Sequence, residues 1–246
     1  MIKSGKVFIY GRNALFEALT SSPKSVKKVY VTDTPANKEI LSLLKKNDIQ
    51  YEITKEKRGS EKRSEQGIIA SIETNQLLQG IESYFQKNKI NPDTGIVVLD
   101  GINDPHNVGA IIRSAVAFGA SAIVIPDKGV ASITSGVISS SAGMVFKIPL
   151  IRTNTALDGL LELKKLGFKI YGLDMNGTVS LHKENFSKPS VFVVGNEGTG
   201  MDQKVKKLCD DIVSIKINKN CESLNAAVSV GTLLYEWSKQ HRKVLE

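Results

Sequence analysis

Along the chain, short apolar runs alternate with segments whose apolar residues recur at helical spacing, and the character of the runs changes between residues 75 and 95. In the first part, residues 26–31, 49–53 and 67–72 are β-branched runs bounded by polar residues, which predicts short strands. Residues 13–19 and 36–46 carry apolar side chains at helical spacing, for example Ile40, Leu41, Leu43 and Leu44. Together they predict a small α/β unit. Residues 76–92 read as a linker with room for a short amphipathic helix, and Pro92-Asp93 sets a boundary near 76–93.

From residue 95 the runs become almost continuously apolar: 96–99, 122–125, 168–173, 191–194 and 212–217. Such strands suit a parallel sheet covered on both faces. Helical patterns at 108–118, 132–142, 156–166 and 224–239 alternate with them, which predicts a doubly wound open sheet. Asn107 is the expected N-cap of the first of these helices and Gly119 its C-terminal stop.

Composition adds class rather than detail. The 246 residues hold 33 Lys/Arg and 25 Asp/Glu, a net charge of +8, with 41% hydrophobic and 24% charged residues. These values fit one or two globular domains and exclude a disordered or collagen-like chain. No apolar run approaches the roughly 18 residues that cross a bilayer. The N-terminal stretch has no long apolar region or small-residue cleavage site, so no secretion signal is read and a cytoplasmic location is expected. Two cysteines, Cys209 and Cys221, form neither a disulfide framework nor a Cys-x-x-Cys pair, so no metal is expected.

The charge is uneven, with a net +5 on residues 1–75, +1 on 76–92 and +2 on 93–246. Its densest cluster is Lys55-Glu56-Lys57-Arg58-Gly59-Ser60-Glu61-Lys62-Arg63. A basic loop of this kind attracts polyanions through counterion release, and equally well forms an ordinary solvated surface.

Ligands of open α/β sheets bind beyond the carboxyl ends of the strands. There the sequence turns rich in Gly and Asn: Asp100 to Gly109, Asp174 to Gly177, Gly195 to Met201 and Asn218 to Asn225. The order of Gly195, Gly198 and Gly200 is wrong for a dinucleotide fingerprint, and no P-loop Gly-Lys-Ser/Thr exists. Glu197, inside this glycine loop, would repel a pyrophosphate. Backbone groups beside a carboxylate better suit a neutral adenosine or a cationic ligand, and S-adenosylmethionine (AdoMet) has both parts. Tight turns alone explain the glycines equally well.

Arg113 lies in a helix whose other residues, Ile111, Ile112, Ala115, Val116 and Phe118, are mostly apolar, so its charge needs a partner or an exit to water. Ser223 can cap the last helix with Asn225 in its first turn. None of the three histidines forms a triad: His106 reads as a loop residue, and His182 and His241 as surface residues. Cys221 has no His near it in sequence to make it a nucleophile.

Three stretches taken together are more specific than any alone. Asn103-Asp104-Pro105-His106-Asn107-Val108-Gly109-Ala110-Ile111-Ile112-Arg113, Val194-Gly195-Asn196-Glu197-Gly198-Thr199-Gly200-Met201 and Glu222-Ser223-Leu224-Asn225-Ala226-Ala227-Val228-Ser229 resemble, in order and separation, the three motifs of the SpoU/TrmH group of SPOUT methyltransferases. The resemblance spans about residues 95–240 and includes Ser140-Ser141-Ala142-Gly143. Residues 5–75, with Gly11-Arg12-Asn13-Ala14-Leu15 and Gln66-Gly67-Ile68-Ile69-Ala70, look like the small L30e-like RNA-binding domain that precedes the catalytic domain in many members.

This resemblance implies domains at 1–75 and 93–246 joined by a 76–92 linker, and a parallel α/β fold with a deep C-terminal trefoil knot. It also implies a homodimer that uses AdoMet to methylate a ribose 2′-hydroxyl of RNA. The layout is closest to bacterial enzymes acting on a guanosine of 23S rRNA; tRNA methylation and a non-catalytic RNA-binding role are the alternatives. By position, Arg113, Asn107, Glu197, Ser223 and Asn225 match the catalytic constellation, and Gly195, Ile215, Leu224, Leu173, Asn196 and Gly200 the AdoMet site. The family mechanism makes the arginine a base, the alternative being a charged group that positions an RNA phosphate and stabilises the developing alkoxide; Asn107 orients it, Glu197 pairs with it or organises the loop, and Ser223 and Asn225 hold the RNA or shape the knot. Glu65 stands where many members have His, and Lys216 where proline is common; both departures bear on substrate choice.

Overall fold

A computed structural model describes residues 5–54 and 67–246. The basic cluster at 55–63, with Glu65 and Gln66, lies outside the described residues. Two sheets organise the chain. The first joins β1 (Lys6–Tyr10), β2 (Val26–Thr32), β3 (Tyr51–Thr54) and β4 (Ile68–Glu73) in the order β1-β4-β2-β3. Helices α1 (Arg12–Ser21) and α2 (Lys38–Lys46) pack on one face of it, burying Leu15, Leu19, Ile40 and Leu44 against Ile9, Val29, Val31, Ala70 and Ile72.

The segment read as a linker carries β5 (Leu78–Gln79) and α3 (Ile81–Phe85). β5 pairs in parallel with the second sheet and forms one of its edges, and Ile81 and Tyr84 are buried in that sheet's core. The N-terminal unit also touches the larger one directly: Lys147 Nζ lies 3.0 Å from Glu17, and Ser22 Oγ donates to the Phe146 carbonyl at 3.2 Å.

The second sheet contains β6 (Gly95–Leu99), β7 (Ala122–Pro126), β8 (Leu150–Thr153), β9 (Lys169–Leu173), β10 (Val179–Ser180), β11 (Ser190–Val194) and β12 (Asp211–Ser214). All its pairings are parallel, in the order β10-β12-β9-β11-β6-β7-β8-β5. Both faces are covered: α4 (Pro105–Ala117), α5 (Ser135–Ser140) and α8 (Ala226–Gln240) on one, α6 (Ala156–Lys165) and α7 (Gln203–Leu208) on the other. Every residue of β6, β7 and β11 is consequently buried. The chain winds outward from β6 to β8, then returns to β11 beside β6. That reversal is the kind of switch point where such sheets bind ligands.

Several expectations change. Asp104, not Asn107, caps α4: its side chain accepts from His106 N–H at 2.9 Å, and Pro105 takes the first helical position, where a missing N–H costs nothing. Asn225, not Ser223, caps α8, accepting from Ala227 N–H at 2.9 Å and Val228 N–H at 3.3 Å. β12 ends at Ser214 because its neighbour β9 ends at Leu173, opposite Val213, so residues 215–217 leave the ladder. His241 is a core residue, stacked on Trp237 with centroids 4.9 Å apart and 2.8 Å from both Asp93 and the Phe186 carbonyl. Partners across the fold, invisible from local sequence, make its burial affordable. β1, β8, α7 and the two-residue strands lacked a clear periodic signal. Among the described residues, no helix is long and apolar enough to cross a membrane.

Candidate active site

The motif loops all emerge at the carboxyl ends of the large sheet. The loop after β11 folds back tightly, with Asn196 and Gly200 exchanging backbone hydrogen bonds of 2.9 and 3.1 Å. Asn196 Oδ1 accepts from Gly198 N–H at 2.9 Å and Thr199 N–H at 3.1 Å, while its amide donates to the Gly101 carbonyl at 2.8 Å. Thus Asn196 closes its own loop and ties it to the loop after β6. Gly200 has φ +72°, a left-handed conformation that favours glycine. At Gly195 the need is space: a Cβ would collide with the Met201 nitrogen and the Gly200 carbonyl group.

These loops meet the start of α8 at one carboxylate oxygen. Glu197 Oε1 accepts from Asn107 Nδ2 at 2.8 Å, from Asn225 Nδ2 at 2.6 Å and from Ala226 N–H at 3.1 Å. Asn225 Nδ2 also donates to Asn107 Oδ1 at 2.9 Å. A negative charge at a helix N-terminus is favourable, because unpaired N–H groups concentrate positive potential there. The structure therefore brings Asn107, Glu197 and Asn225 together.

Arg113 is not part of that knot of hydrogen bonds. It is exposed on α4, two turns beyond the cap, and bonds to neither Asn107 nor Glu197. Ser223 is exposed as well; its carbonyl accepts from Cys221 Sγ at 3.2 Å.

Beside Glu197 lies a cavity of about 310 Å³, within the range of small-ligand sites. Leu173, Gly195, Asn196, Gly200, Ile215 and Leu224 all line it, as do Glu197 and Ser223. Its walls are apolar side chains, including Val194 and Ile217, interleaved with loop backbone. Among the described residues, the charged side chains of the lining are Asp174 and Glu197, with no Lys, Arg or His. The donor set is therefore wrong for a phosphate and fits an uncharged ring system carrying a cation.

Asp174 is a site residue that the sequence motifs did not single out, although it follows a strand end. The Lys206 ammonium, 2.6 Å away, holds its carboxyl below the usual range, aided by Asn176 N–H at 2.8 Å. Asp100, after β6, behaves oppositely. Burial raises its carboxyl above the usual range, partly offset by the Asp202 N–H it accepts at 2.7 Å.

Comparison with known proteins agrees with this layout. The SpoU rRNA methylase family model matches residues 95–235, and the RNA 2′-O ribose methyltransferase substrate-binding model matches residues 8–78. The 23S rRNA (guanosine-2′-O-)-methyltransferase RlmB of Neisseria meningitidis is 31% identical over 94% of each chain. A TrmH family tRNA/rRNA methyltransferase, YacO of Bacillus subtilis, is 29% identical over 97% of this chain and 98% of its own. A tRNA/rRNA methyltransferase of Mycobacterium avium, 40% identical, is matched over 62% of this chain and 49% of its own. In fold, the chain resembles the SpoU methyltransferase AviRb of Streptomyces viridochromogenes, solved with AdoMet, with a TM-score of 0.78 at 23% identity over 97% of this chain and 91% of that one. With the family model covering more than half of its length, and the motif loops converging on one cavity, the chain belongs to the SpoU rRNA methylase family.

Proposed function

We propose that this protein is an AdoMet-dependent RNA 2′-O-methyltransferase whose substrate is a guanosine of 23S rRNA. The observation that carries the reading is the cavity lining: apolar walls, loop backbone and two carboxylates, with no basic side chain among the described residues that line it. That chemistry suits adenosine plus a sulfonium and disfavours the pyrophosphate of a dinucleotide. The relatives named above supply the RNA class, and RlmB at 31% identity suggests the nucleotide.

When bound, AdoMet supplies a methyl group activated by its positive sulfur. Leu173, Ile215 and Leu224 would enclose its adenine, and the loop of Gly195, Asn196 and Gly200 would line its polar edges. Glu197 holds the motif loops together through Asn107 and Asn225. Arg113 binds an RNA phosphate and stabilises the alkoxide that develops on the ribose oxygen. In this role Arg113 acts through its hydrogen-bond donors, and the hydroxyl proton leaves to water. Ser223, at the rim, contacts the RNA.

The same reading includes an L30e-like domain at 1–75, a linker at 76–92 and a catalytic domain at 93–246 with a C-terminal trefoil knot. It also includes a homodimer. A shallow apolar face on α4 and α8, where Val228 and Tyr235 are 53% and 52% exposed, supports pairing through these helices. Sedimentation of the wild type and of Val228→Asp tests the dimer.

The decisive experiment combines calorimetry with AdoMet and mapping of ribose methylation in rRNA and tRNA from cells with and without the protein. Loss of one 23S methyl group is expected in its absence. A lost tRNA methyl group instead would move the substrate, and no AdoMet binding at millimolar concentration would end the reading.

A further inference from the structure

The small sheet has two chemically different faces. α1 and α2 cover the face that carries Ile9, Val29, Val31 and Ala70. The opposite face presents Phe8 and Tyr10 from β1, Ile69 and Ser71 from β4, and Lys28 and Tyr30 from β2. Strand register sets Phe8, Ser71 and Lys28 in one row and Tyr10, Ile69 and Tyr30 in the next. A solvated sheet face is normally polar. Here Phe8 and Tyr10 remain 46% and 44% exposed.

Cations attend the rings. Lys6 Nζ lies 5.9 Å from the Phe8 centroid and Lys28 Nζ 5.1 Å from the Tyr30 centroid. Among the described residues, the negative groups on this face are Glu73, in register with Lys6, and Glu52, in register with Tyr30; Lys28 already holds Glu52 at 2.6 Å. Ser71 Oγ, under the rings, is buried and has no hydrogen-bond partner among the described residues.

We propose that this face is a stacking platform for unpaired bases of the RNA substrate, an inference that rests on the RNA methyltransferase reading. Phe8 and Tyr10 stand two residues apart on one strand, about 7 Å. Two neighbouring bases, separated from each other, can each lie on one ring. Lys6, at the end of the row, then reaches a neighbouring phosphate. A duplex hides its base faces, so the occupant is single-stranded. A protein partner fits less well, since the cores of protein interfaces are depleted in lysine. The substrate-binding family match at 8–78 takes in Phe8, Tyr10, Lys28, Tyr30, Ile69 and Ser71.

The test uses the full chain, a labelled single-stranded RNA decamer of mixed sequence and the corresponding duplex, with anisotropy read at one fixed salt concentration. Phe8→Ala and Tyr10→Ala should each weaken the decamer about five- to a hundredfold, the range for loss of a stacked base. Phe8→Leu, which keeps apolar bulk without a ring, should fail as badly as Phe8→Ala, and Tyr10→Phe should bind like the parent. Duplex affinity should not move. The platform is overturned by a double alanine variant that binds the decamer as tightly as the parent, by recovery in Phe8→Leu, or by a parent with no affinity for the decamer. A change of sedimenting mass in the double variant would reassign the face to protein contact and overturn it too. A parent that binds the decamer in this ring-dependent way but takes no AdoMet would leave the platform standing and refute only the methyltransferase reading.

Discussion

Asn225 donates a 2.6 Å hydrogen bond to Glu197, 28 residues away in sequence, at the point where the last helix begins. The same carboxylate oxygen takes Asn107 from the first motif, so one side chain joins all three motif loops. Glu197→Ala leaves the Asn107 amide and the Ala226 N–H without their acceptor, while Asn225 keeps only its bond to Asn107. We expect a loss of about 1–3 kcal/mol in denaturant unfolding and a fall in methyl transfer of at least tenfold. Glu197→Gln keeps an oxygen and loses the charge, so its stability loss should be smaller, about 0.3–1 kcal/mol.

Arg113 gives the opposite signature. It is exposed and outside the Glu197 network, so Arg113→Ala should leave thermal stability within about 0.5 kcal/mol of the parent and should not alter AdoMet affinity in calorimetry. Methyl transfer should collapse by about a hundredfold or more. Arg113→Lys keeps the charge without the planar fork and should recover only part of the rate. A large stability loss in Arg113→Ala would make its role structural.

Gly195 tests the loop. An added methyl group would strike the Met201 nitrogen and the Gly200 carbonyl, both backbone atoms that cannot rotate aside. Gly195→Ala should cost about 1–3 kcal/mol and abolish AdoMet binding in calorimetry, since the cavity wall itself must shift.

Asp100 should give a distinctive pH dependence. Its folded-state pKa is raised by burial, so between the unfolded and folded pKa values the folded chain holds more protons. Stability therefore falls as pH rises through that window and then levels off. Asp100→Asn, which can still accept from Asp202 N–H, should flatten that part of the profile and be more stable than the parent at pH 7. Urea unfolding from pH 3 to 8 checks the sign.

The cysteines should separate cleanly. Burial pushes the Cys209 thiol up to about 11, whereas Cys221 is exposed. At pH 8 iodoacetamide should label Cys221 in the native protein and reach Cys209 only after denaturation, as intact-mass spectrometry can show.

The apolar runs at 96–99, 122–125 and 191–194 announced a buried parallel sheet because strands covered on both faces have no reason to alternate. The motif residues were legible for a related reason: Gly195 and Gly200 answer to backbone constraints that act locally and leave a mark on the sequence. Helix ends were less legible. Asp104, Asn107, Ser223 and Asn225 are all competent caps, and choosing among them needs knowledge of which side chains are taken by distant partners.

By itself, then, the sequence determined the alternation of strands and helices, the class of the sheet and which loops carry unusual residues, since these follow from nearest-neighbour periodicity and backbone preference. Only the tertiary structure decided that Glu197 serves Asn107 and Asn225 and not Arg113, that His241 is buried between Asp93, Phe186 and Trp237, and that Phe8, Tyr10 and Tyr30 share one open face. Hydrogen bonds and ring contacts form between whatever the completed fold brings within a few ångströms, and strand order and helix crossing, not spacing along the chain, set those distances.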